Sequence, residues 1–397
     1  MSGISQIEEL KSDHYTEKYV VHITQPLDYM NPEAGSFTQR VVISHAGFDR
    51  PTVLVTEGYG GAYALRPAYQ EELARLFHTN IVFVEHRYFL DSTPEPLNWN
   101  YLTAEDSAYD LHQVRNTFQT IYPDKWISTG ISKGGQTTLI YRSYFPDDVD
   151  FSVSYVAPLN RAVEDTRHQE YLQQVGTEEE REQIRAFQRE ILKRRAAILP
   201  LLEEYVKEKQ MEFRISLDEV LDYAVLEYPF ALWQWGTPVT TIPALSSEDK
   251  MLFHHLIDIS GPDYFSENQP YGSFFVQAAR ELGYYSYDTQ PLEEYLSIST
   301  SEGYVNRIML PAGTEPVDFS DALYWKIYHY LKDNDPKMIF IYGEVDPWSA
   351  TRVPDFEGKK NMQIYIEPGG SHRARISTLP EDMQEQVIGQ IQTWLAE

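Results

Sequence analysis

The stretch Gly130-Ile131-Ser132-Lys133-Gly134 follows an apolar, β-rich run at 126–131 and precedes a helical pattern over 134–145. This strand–turn–helix context is what a G-x-S-x-G nucleophile elbow requires, in which a tight turn exposes the serine hydroxyl at the carboxyl edge of a sheet. Without that context the same five residues would be an ordinary glycine-rich turn. The stretch therefore predicts an α/β fold in which Ser132 is the nucleophile.

Strands and helices alternate on both sides of this turn. Such alternation is typical of a mostly parallel sheet that is covered by helices on both faces. The predicted strands are 19–23, 37–44, 52–55, 81–84, 126–131, 151–156, 337–342 and 361–366. The predicted helices that accompany them are 67–77, 104–121, 134–145 and 380–396.

The middle of the chain has a different character. Residues 161–312 contain long, charged helical stretches, notably 177–209, and aromatic-rich segments such as 228–236 that we interpret as irregular. The simplest arrangement is an α/β catalytic domain formed by residues 1–160 and 313–397, which is interrupted by a helical cap domain over 161–312. In this arrangement the first and last parts of the chain fold together.

Composition excludes several other classes of protein. The 397 residues are 42% hydrophobic, and their formal net charge of −27 disfavours nucleic acid or an anionic membrane surface as a partner. The chain has no cysteine, which excludes disulfides, zinc–thiolate sites, iron–sulfur clusters and a cysteine nucleophile. No run approaches the 18 apolar residues of a membrane span, and the first fifteen residues lack the pattern of a secretory signal peptide. The compartment stays open.

No cofactor or metal is predicted either. The chain lacks a phosphate-binding G-x-x-x-x-G-K-[ST] loop, an H-E-x-x-H zinc motif and an S-x-x-K motif. His254 and His255 are adjacent in sequence, and neighbouring residues do not share a helix face, so we interpret them as surface or capping histidines.

A serine nucleophile needs a general base and an orienting carboxylate, which on this fold follow it in the order Ser, Asp, His. Asp346 comes directly after the predicted strand 337–342, and His372 comes after the strand 361–366. His372 is also the one histidine that follows Asp346 in the chain. We therefore predict a triad of Ser132, Asp346 and His372. The rival acids, which only geometry can exclude, are Glu344, Asp318 and Asp355.

The negatively charged oxygen of a tetrahedral intermediate needs preorganised N–H donors. On an elbow the first donor is the backbone N–H that follows the serine, here that of Lys133, and the second comes from a loop after an earlier strand. The glycine-rich loop 58–61 fits that position, with Tyr59 or Gly60 as the donor, although it could also be a plain turn. The side chain of Lys133 is expected to point outward.

Several separate motifs resemble those of the clan of prolyl-specific exopeptidases, which includes lysosomal Pro-X carboxypeptidase and dipeptidyl peptidase II. They are Gln25–Asp28 (QPLD), Gly35–Arg40 (GSFTQR), Glu85–Tyr88 (EHRY) and Asp346–Ser349 (DPWS). Two more stretches, Trp126–Gly135 and Tyr155–Asn160, are most similar to the bacterial branch, the secreted prolyl tri-/tetrapeptidyl aminopeptidases.

This resemblance implies an α/β-hydrolase fold with a mostly parallel sheet and a large helical cap. It implies removal of short peptides from chain ends, often after proline, and places nucleophile, acid and base on Ser132, Asp346 and His372. It also implies that Trp348 lines the pocket for the side chain before the cut, where a flat aromatic face suits a proline ring. Core packing is the alternative role for Trp348. Export from the cell is a further implication.

An enzyme that recognises a free N-terminus needs a buried carboxylate at a fixed distance from its nucleophile. Each candidate could instead be a solvated or structural carboxylate; they are Glu57, Glu164, Asp165 and Glu227. Trp233 and Trp235 could wall the substrate tunnel or simply pack. A carboxypeptidase would instead need a basic residue, for which Arg87 and Arg161 are weak candidates.

The predicted function is thus a serine aminopeptidase that acts on peptides with a free N-terminus. A carboxylesterase or lipase is the alternative, because the triad does not distinguish amides from esters. A non-catalytic binding protein on a hydrolase scaffold is a third class, which the presence of all three triad residues disfavours. The oligomeric state stays open.

Overall fold

A computed structural model describes residues 3–397; Met1 and Ser2, where the predicted catalytic region begins, lie outside the described residues. One nine-stranded sheet runs through the molecule in the order β1-β2-β3-β5-β4-β6-β7-β8-β9. The strands are β1 (Ile4–Glu9), β2 (Glu17–Pro26), β3 (Ser36–His45), β4 (Thr52–Thr56), β5 (Asn80–Val84), β6 (Trp126–Ile131), β7 (Phe151–Tyr155), β8 (Met338–Gly343) and β9 (Met362–Glu367).

The first three strands are antiparallel to their neighbours, whereas the strands from β5 across to β9 are parallel. Every residue of β4, β5, β7 and β8 is buried. Continuous burial of this kind is characteristic of parallel strands that are covered on both faces. The carboxyl ends of β4, β6, β8 and β9 therefore meet at one edge of the sheet, where a site can form.

Helices cover both faces of the sheet and fill the region between β7 and β8. They are α1 (Glu72–Phe77), α2 (Ala104–Gln119), α3 (Lys133–Tyr144), α4 (Arg167–Leu172), α5 (Glu178–Lys193), α6 (Arg195–Lys209), α7 (Leu217–Trp235), α8 (Asp249–Ser260), α9 (Gly272–Gln277), α10 (Ala322–Asp333) and α11 (Glu381–Ala396). Helix α2 packs on one face, against Leu54 and Val82 of the central strands. Helices α1 and α11 pack on the other face, against Val53 and Val55.

The aromatic-rich stretch 228–236, predicted to be irregular, is instead the second half of helix α7. Proline has no N–H to donate, so Pro229 leaves the carbonyl of Val225 without its helical partner. The Gln188 side chain of α5 replaces that partner, with its Nε2 donating to the Val225 oxygen at 2.7 Å. The helix ends where Gly236 adopts φ 66°, a left-handed conformation that favours glycine.

Smaller differences also have local causes. The helix predicted over 67–77 begins only at Glu72, where the Glu71 carboxylate caps the Ala74 N–H at 3.0 Å. Strand β1 is an exposed edge strand without an alternating apolar pattern, and the sequence did not predict it. The predicted stretch 177–209 is two helices, α5 and α6, which meet at Arg194.

Helices α4–α9 all fall within the predicted cap, residues 161–312. We refer to them below as the cap helices; the division into two domains stays a prediction. Across residues 3–397, no helix has both the length and the apolar character that a membrane crossing requires.

Candidate active site

Ser132 lies in the turn between β6 and α3. Its backbone has φ 58° and ψ −121°, a conformation that is costly for a residue with a side chain and that is typical of strained functional turns. The Ser132 N–H donates to the Tyr155 carbonyl at 2.9 Å, which ties the turn to the neighbouring strand β7. Within residues 3–397 the Ser132 hydroxyl has no hydrogen-bond partner, and the residue is partly exposed.

Close packing explains the two glycines that flank the serine. A Cβ atom on Gly130 would lie 2.2 Å from the Gly134 carbonyl oxygen. A Cβ atom on Gly134 would lie 2.9 Å from the Thr56 carbonyl oxygen, on the neighbouring strand β4. Both contacts are with backbone atoms that cannot move without disturbing the sheet. The G-x-S-x-G spacing is therefore a steric requirement of the turn.

We expect Gly130→Ala to destabilise the protein by at least ~3 kcal/mol, at the upper end of the usual cost of overpacking. The matched control is Gly389→Ala in α11, where an added Cβ meets no atom within 4 Å. This control should stabilise the helix by up to ~1 kcal/mol, because alanine has the higher helix propensity. Urea denaturation measures both changes, and equal stability of the two variants would show that the elbow is loosely packed.

Asp346 and His372 form a buried pair at the same sheet edge. Their side chains are 0% and 5% exposed, and His372 Nδ1 lies 2.7 Å from Asp346 Oδ2. The other carboxylate oxygen, Oδ1, accepts from the Trp348 N–H at 3.1 Å. Because a carboxylate can only accept, Nδ1 donates in this hydrogen bond, and Nε2 is the ring nitrogen left to act as a base. Within the described part of the chain Nε2 is buried without a hydrogen-bond partner.

The three alternative candidates for the triad acid are exposed, unlike Asp346. Glu344 is exposed, and its Oε2 accepts from the Gly369 N–H at 2.7 Å, while Asp318 and Asp355 are both exposed. The loops of Asp346 and His372 are brought together by Gly343, where a Cβ atom would lie 2.3 Å from the Ser371 carbonyl oxygen. Geometry thus favours Asp346 as the partner of the histidine.

Lys133 is the first residue of helix α3. Its N–H has no acceptor among residues 3–397, so it is free to face a negatively charged oxygen. In the loop 58–61, the Tyr59 N–H donates to its neighbour Glu57 Oε1 at 3.1 Å and is therefore engaged. The Gly60 N–H has no such bond in the described chain. Of the two alternatives for the second donor, this favours Gly60.

The expectation that the Lys133 side chain points outward is wrong. It is 3% exposed, and its Nζ donates to the Gly58 carbonyl oxygen at 2.5 Å. The reason is that α3 begins directly against the glycine-rich loop, so the side chain has room only above the rings of Tyr59 and Phe89, at 5.6 and 5.4 Å. Burial lowers the pKa of Lys133 to about 7.

Three of the four candidate amine-binding carboxylates are already engaged. Glu57 accepts from the Tyr63 hydroxyl at 2.5 Å and from the Tyr59 N–H. Glu164 accepts from the N–H groups of Gly303 and Val305, at 3.1 and 3.4 Å. Asp165 pairs with Arg167 at 2.7 Å, and hydrogen bonds to that residue hold the pKa of Asp165 below its usual value despite burial.

Glu227 is different, because it is buried with no cation beside it. It projects from α7, and its Oε2 accepts from the hydroxyls of Tyr285 and Tyr287 at 2.9 and 2.8 Å. Burial raises the pKa of Glu227 to about 7, and the two tyrosine hydrogen bonds offset only part of that effect. A group of this kind gains most from a positively charged ligand.

Aromatic rings surround Glu227 and connect it to the Asp346–His372 pair. The Tyr285 ring stacks on Phe230 at 3.7 Å and lies 5.3 Å from Trp348, which in turn lies 6.3 Å from the His372 ring. We call this group the tyrosine cage; its members are Tyr264, Tyr284, Tyr285, Tyr287 and Tyr304. The Trp348 indole N–H is buried without a partner among residues 3–397.

The remaining candidates lie in separate places. Trp235 is 48% exposed and stands edge-on to His372 at 6.1 Å. Trp233 is buried and lines a pocket among the cap helices. Arg87 is buried and paired with Asp110 at 2.7 Å, while Arg161 is exposed. Neither arginine is therefore brought to the Asp346–His372 pair by a contact.

The sequence did not predict the tyrosine cage or the hydrogen bond between helix α7 and the loop that carries His372. The His372 N–H donates to the Gln234 carbonyl at the end of α7, at 2.9 Å. The sequence feature that could have indicated the cage is the tyrosine-rich stretch 284–287. Nothing in the sequence shows that this stretch contacts Glu227.

A parallel sheet, a serine elbow after β6, and an acid and a histidine after β8 and β9 define an α/β-hydrolase. The chain belongs to the PS-10 peptidase S37 family, whose match spans residues 1–396, and it is a serine peptidase. Among residues 3–397, no group of three or more His, Asp or Glu side chains is placed to hold a metal ion.

Two curated relatives span nearly the whole chain. The prolyl tri/tetrapeptidyl aminopeptidase of Streptomyces mobaraensis is 29% identical over 404 residues, which cover 99% of this chain and 83% of the relative. The probable serine protease EDA2 of Arabidopsis thaliana is 23% identical over 98% of this chain and 91% of its own. The crystal structure of proline iminopeptidase from Mycobacterium smegmatis is 12% identical, with a TM-score of 0.49 over 94% of this chain and 99% of that one.

Proposed function

We propose that this protein is a serine exopeptidase that releases short peptides, tripeptides or dipeptides, from free N-termini and prefers proline before the scissile bond. The observation that carries this proposal is the buried Glu227 carboxylate, which lacks a cation and faces the tyrosine cage beside Trp348. The name of the Streptomyces relative, prolyl tri/tetrapeptidyl aminopeptidase, supports the same substrate class.

In the proposed reaction, His372 Nε2 removes the proton from the Ser132 hydroxyl as the serine oxygen attacks the carbonyl carbon. The N–H groups of Lys133 and Gly60 stabilise the resulting oxyanion. The imidazolium then gives its proton to the departing amine, which leaves an acyl-enzyme that water hydrolyses by the same route. Asp346 holds the Nδ1 proton and stabilises the transient positive charge on the ring.

Trp348 is the proposed wall for proline. It follows the acid by two residues, and its ring packs edge-on against Phe230 and close to Tyr285, at 5.2 and 5.3 Å. These faces are flat and apolar, which suits a ring that offers only C–H groups. A proline also has no N–H once it is within a chain, so an apolar wall beside its ring leaves no donor unpaired.

Glu227 is the proposed anchor for the free α-amine. An ammonium group near its carboxylate would form a charge-assisted hydrogen bond in a site that excludes water, where such bonds are strong. The surrounding tyrosine faces add cation–π attraction. An acetylated N-terminus carries neither the charge nor three donors, and its extra bulk would have to fit inside the cage.

The experiment is a panel of proline anilides with two, three or four residues, each with a free and an acetylated N-terminus. We expect cleavage of the free peptides at the proline, with kcat/KM for the acetylated forms at least about 100-fold lower, consistent with ~3 kcal/mol for a lost charged hydrogen bond. Hydrolysis of short acyl esters without cleavage of any free peptide would contradict the proposal and favour an esterase.

A further inference from the structure

The Lys133 side chain holds the loop that supplies the second oxyanion donor. Its Nζ donates to the Gly58 carbonyl oxygen at 2.5 Å, and this carbonyl belongs to the same peptide group as the Tyr59 N–H. That peptide group is the first of the loop 58–61, and Gly60 is the next residue but one. The Gly58–Tyr59 peptide directly precedes the Tyr59–Gly60 peptide that carries the Gly60 N–H, so its orientation contributes to the direction in which that N–H points.

Other contacts fix the two ends of this loop. At its start, a Cβ atom on Gly58 would lie 2.6 Å from the Gly134 nitrogen, so the loop lies directly on the first turn of α3. At its end, the Gly61 N–H donates to Glu85 Oε2 at 2.7 Å. Between these ends, Lys133 holds the carbonyl of the first peptide and Glu57 Oε1 accepts from its N–H at 3.1 Å, while the His86 N–H donates to the Tyr59 carbonyl of the next peptide at 3.2 Å.

Burial at position 133 is unfavourable for a lysine side chain. Removing an ammonium group from water destabilises a fold, and residues retained under such conditions concentrate at functional sites. The charged groups that face Nζ are the carboxylates of Glu57 and Glu281, which favour the ammonium form without outweighing burial. An apolar side chain of similar length would fill the same space above Tyr59 and Phe89 at no such cost.

We propose that the side chain of Lys133 is a positioning residue for the oxyanion hole. The residue that supplies the first donor through its backbone thus also helps to hold the loop of the second donor through its side chain, and it couples the elbow to the glycine-rich loop. This inference rests on the proposed function, since it concerns the same reaction. It acts through the Gly58–Tyr59 peptide and requires no contact between Nζ and the substrate.

The test compares Lys133→Met with a matched control, Lys18→Met. Lys18 is also a buried lysine, 1% exposed, and its Nζ donates to the Arg66 carbonyl at 2.7 Å and lies 5.7 Å from the Tyr69 ring. It lies in β2 and not in the elbow or the loop 58–61. Loss of an entire oxyanion donor typically lowers turnover ~10²–10³-fold. Since Lys133→Met displaces the donor without removing it, we expect kcat to fall about 10- to 100-fold with KM within about twofold. Lys18→Met should retain wild-type kcat.

A peptide aldehyde adds a readout that loss of stability would not move. The aldehyde forms a hemiacetal whose oxygen occupies the oxyanion hole, whereas the product peptide does not. We expect Lys133→Met to weaken aldehyde binding by the same factor as kcat/KM and to leave product binding unchanged. The glutamine side chain is too short to reach Gly58, so Lys133→Gln should show the same changes as Lys133→Met. It replaces Lys133→Met in the test if the methionine variant does not fold.

Two results would overturn the inference. One is equal kcat for Lys133→Met and Lys18→Met, and the other is a rise in KM with kcat unchanged, which would indicate a role in substrate binding. Ser132→Ala in the same assay separates this outcome from failure of the proposed function. If Ser132→Ala is inactive while Lys133→Met is fully active, only the role of Lys133 is wrong.

Discussion

Replacing Ser132 with alanine should lower kcat for a free prolyl peptide by about 10⁴- to 10⁶-fold, the range seen when a serine nucleophile is removed. The account assigns bond formation to this hydroxyl, and the oxyanion donors alone cannot replace it. The free energy of unfolding should change by less than ~0.5 kcal/mol, because the side chain has no hydrogen bond within residues 3–397. Steady-state kinetics and urea denaturation measure the two effects.

Ser128→Ala is the matched control, since it removes a hydroxyl from β6, the strand that leads into the Ser132 turn. The Ser128 hydroxyl is buried and hydrogen-bonded to that of Ser152 at 2.8 Å. This variant should lose ~1 kcal/mol of stability and keep its kcat, the reverse of the Ser132→Ala pattern. If Ser132→Ala keeps more than about one-hundredth of wild-type turnover, the assignment of the nucleophile is wrong, because elbow serines contribute far more.

Glu227→Gln should lower kcat/KM for free peptides by about 10- to 100-fold, since a hydrogen bond to a charged group contributes ~1.5–3 kcal/mol. Glutamine has the same shape and can still accept from Tyr285 and Tyr287, so the cage should keep its structure. Cleavage of acetylated peptides should be unaffected, because they have no ammonium group to lose. The measured quantity is the ratio of kcat/KM for free and acetylated forms of one peptide.

The same carboxylate predicts a pH dependence. The pKa of Glu227 is raised to about 7 in the protein without substrate, so the group is increasingly protonated and neutral as the pH falls below that value. A neutral carboxyl does not attract an ammonium group, and the KM for free peptides should therefore rise as the pH falls from about 7 to 6, where the α-amine of the peptide is already protonated. In Glu227→Gln this rise should disappear.

Glu164→Gln provides the control for the Glu227 prediction. Glu164 is a half-buried acid of the predicted cap, but it accepts from the N–H groups of Gly303 and Val305. Its substitution should leave the ratio of free to acetylated peptide cleavage unchanged. If Glu227→Gln keeps the wild-type ratio, or Glu164→Gln abolishes it, the amine is bound elsewhere.

The features that the sequence predicted correctly depend on local patterns. Buried β-branched runs such as 52–55 and 81–84 indicated parallel strands, and the elbow at Ser132 follows from steric rules that apply within five residues. The position of Asp346 after a strand was equally readable, and its pairing with His372 follows from where adjacent parallel strands end.

The features that the sequence could not predict depend on distant partners. Helix α7 continues through Pro229. The Gln188 side chain of helix α5 donates to the Val225 carbonyl in place of the N–H that proline lacks. Lys133 was expected outside, and it is buried because the loop 58–61 closes over it. Glu227 could not be separated from three other acids until the neighbours of each were known.

The central claim is that Ser132 is made nucleophilic by His372 at an elbow that faces an oxyanion hole. The most direct measurement is treatment of the folded protein with a fluorophosphonate, followed by mass spectrometry of the intact chain and its peptides. The account predicts one adduct per chain on Ser132, formed at least about 100-fold more slowly in His372→Ala because the base is missing. Absence of an adduct on wild-type protein, or an adduct on another serine, would contradict the account.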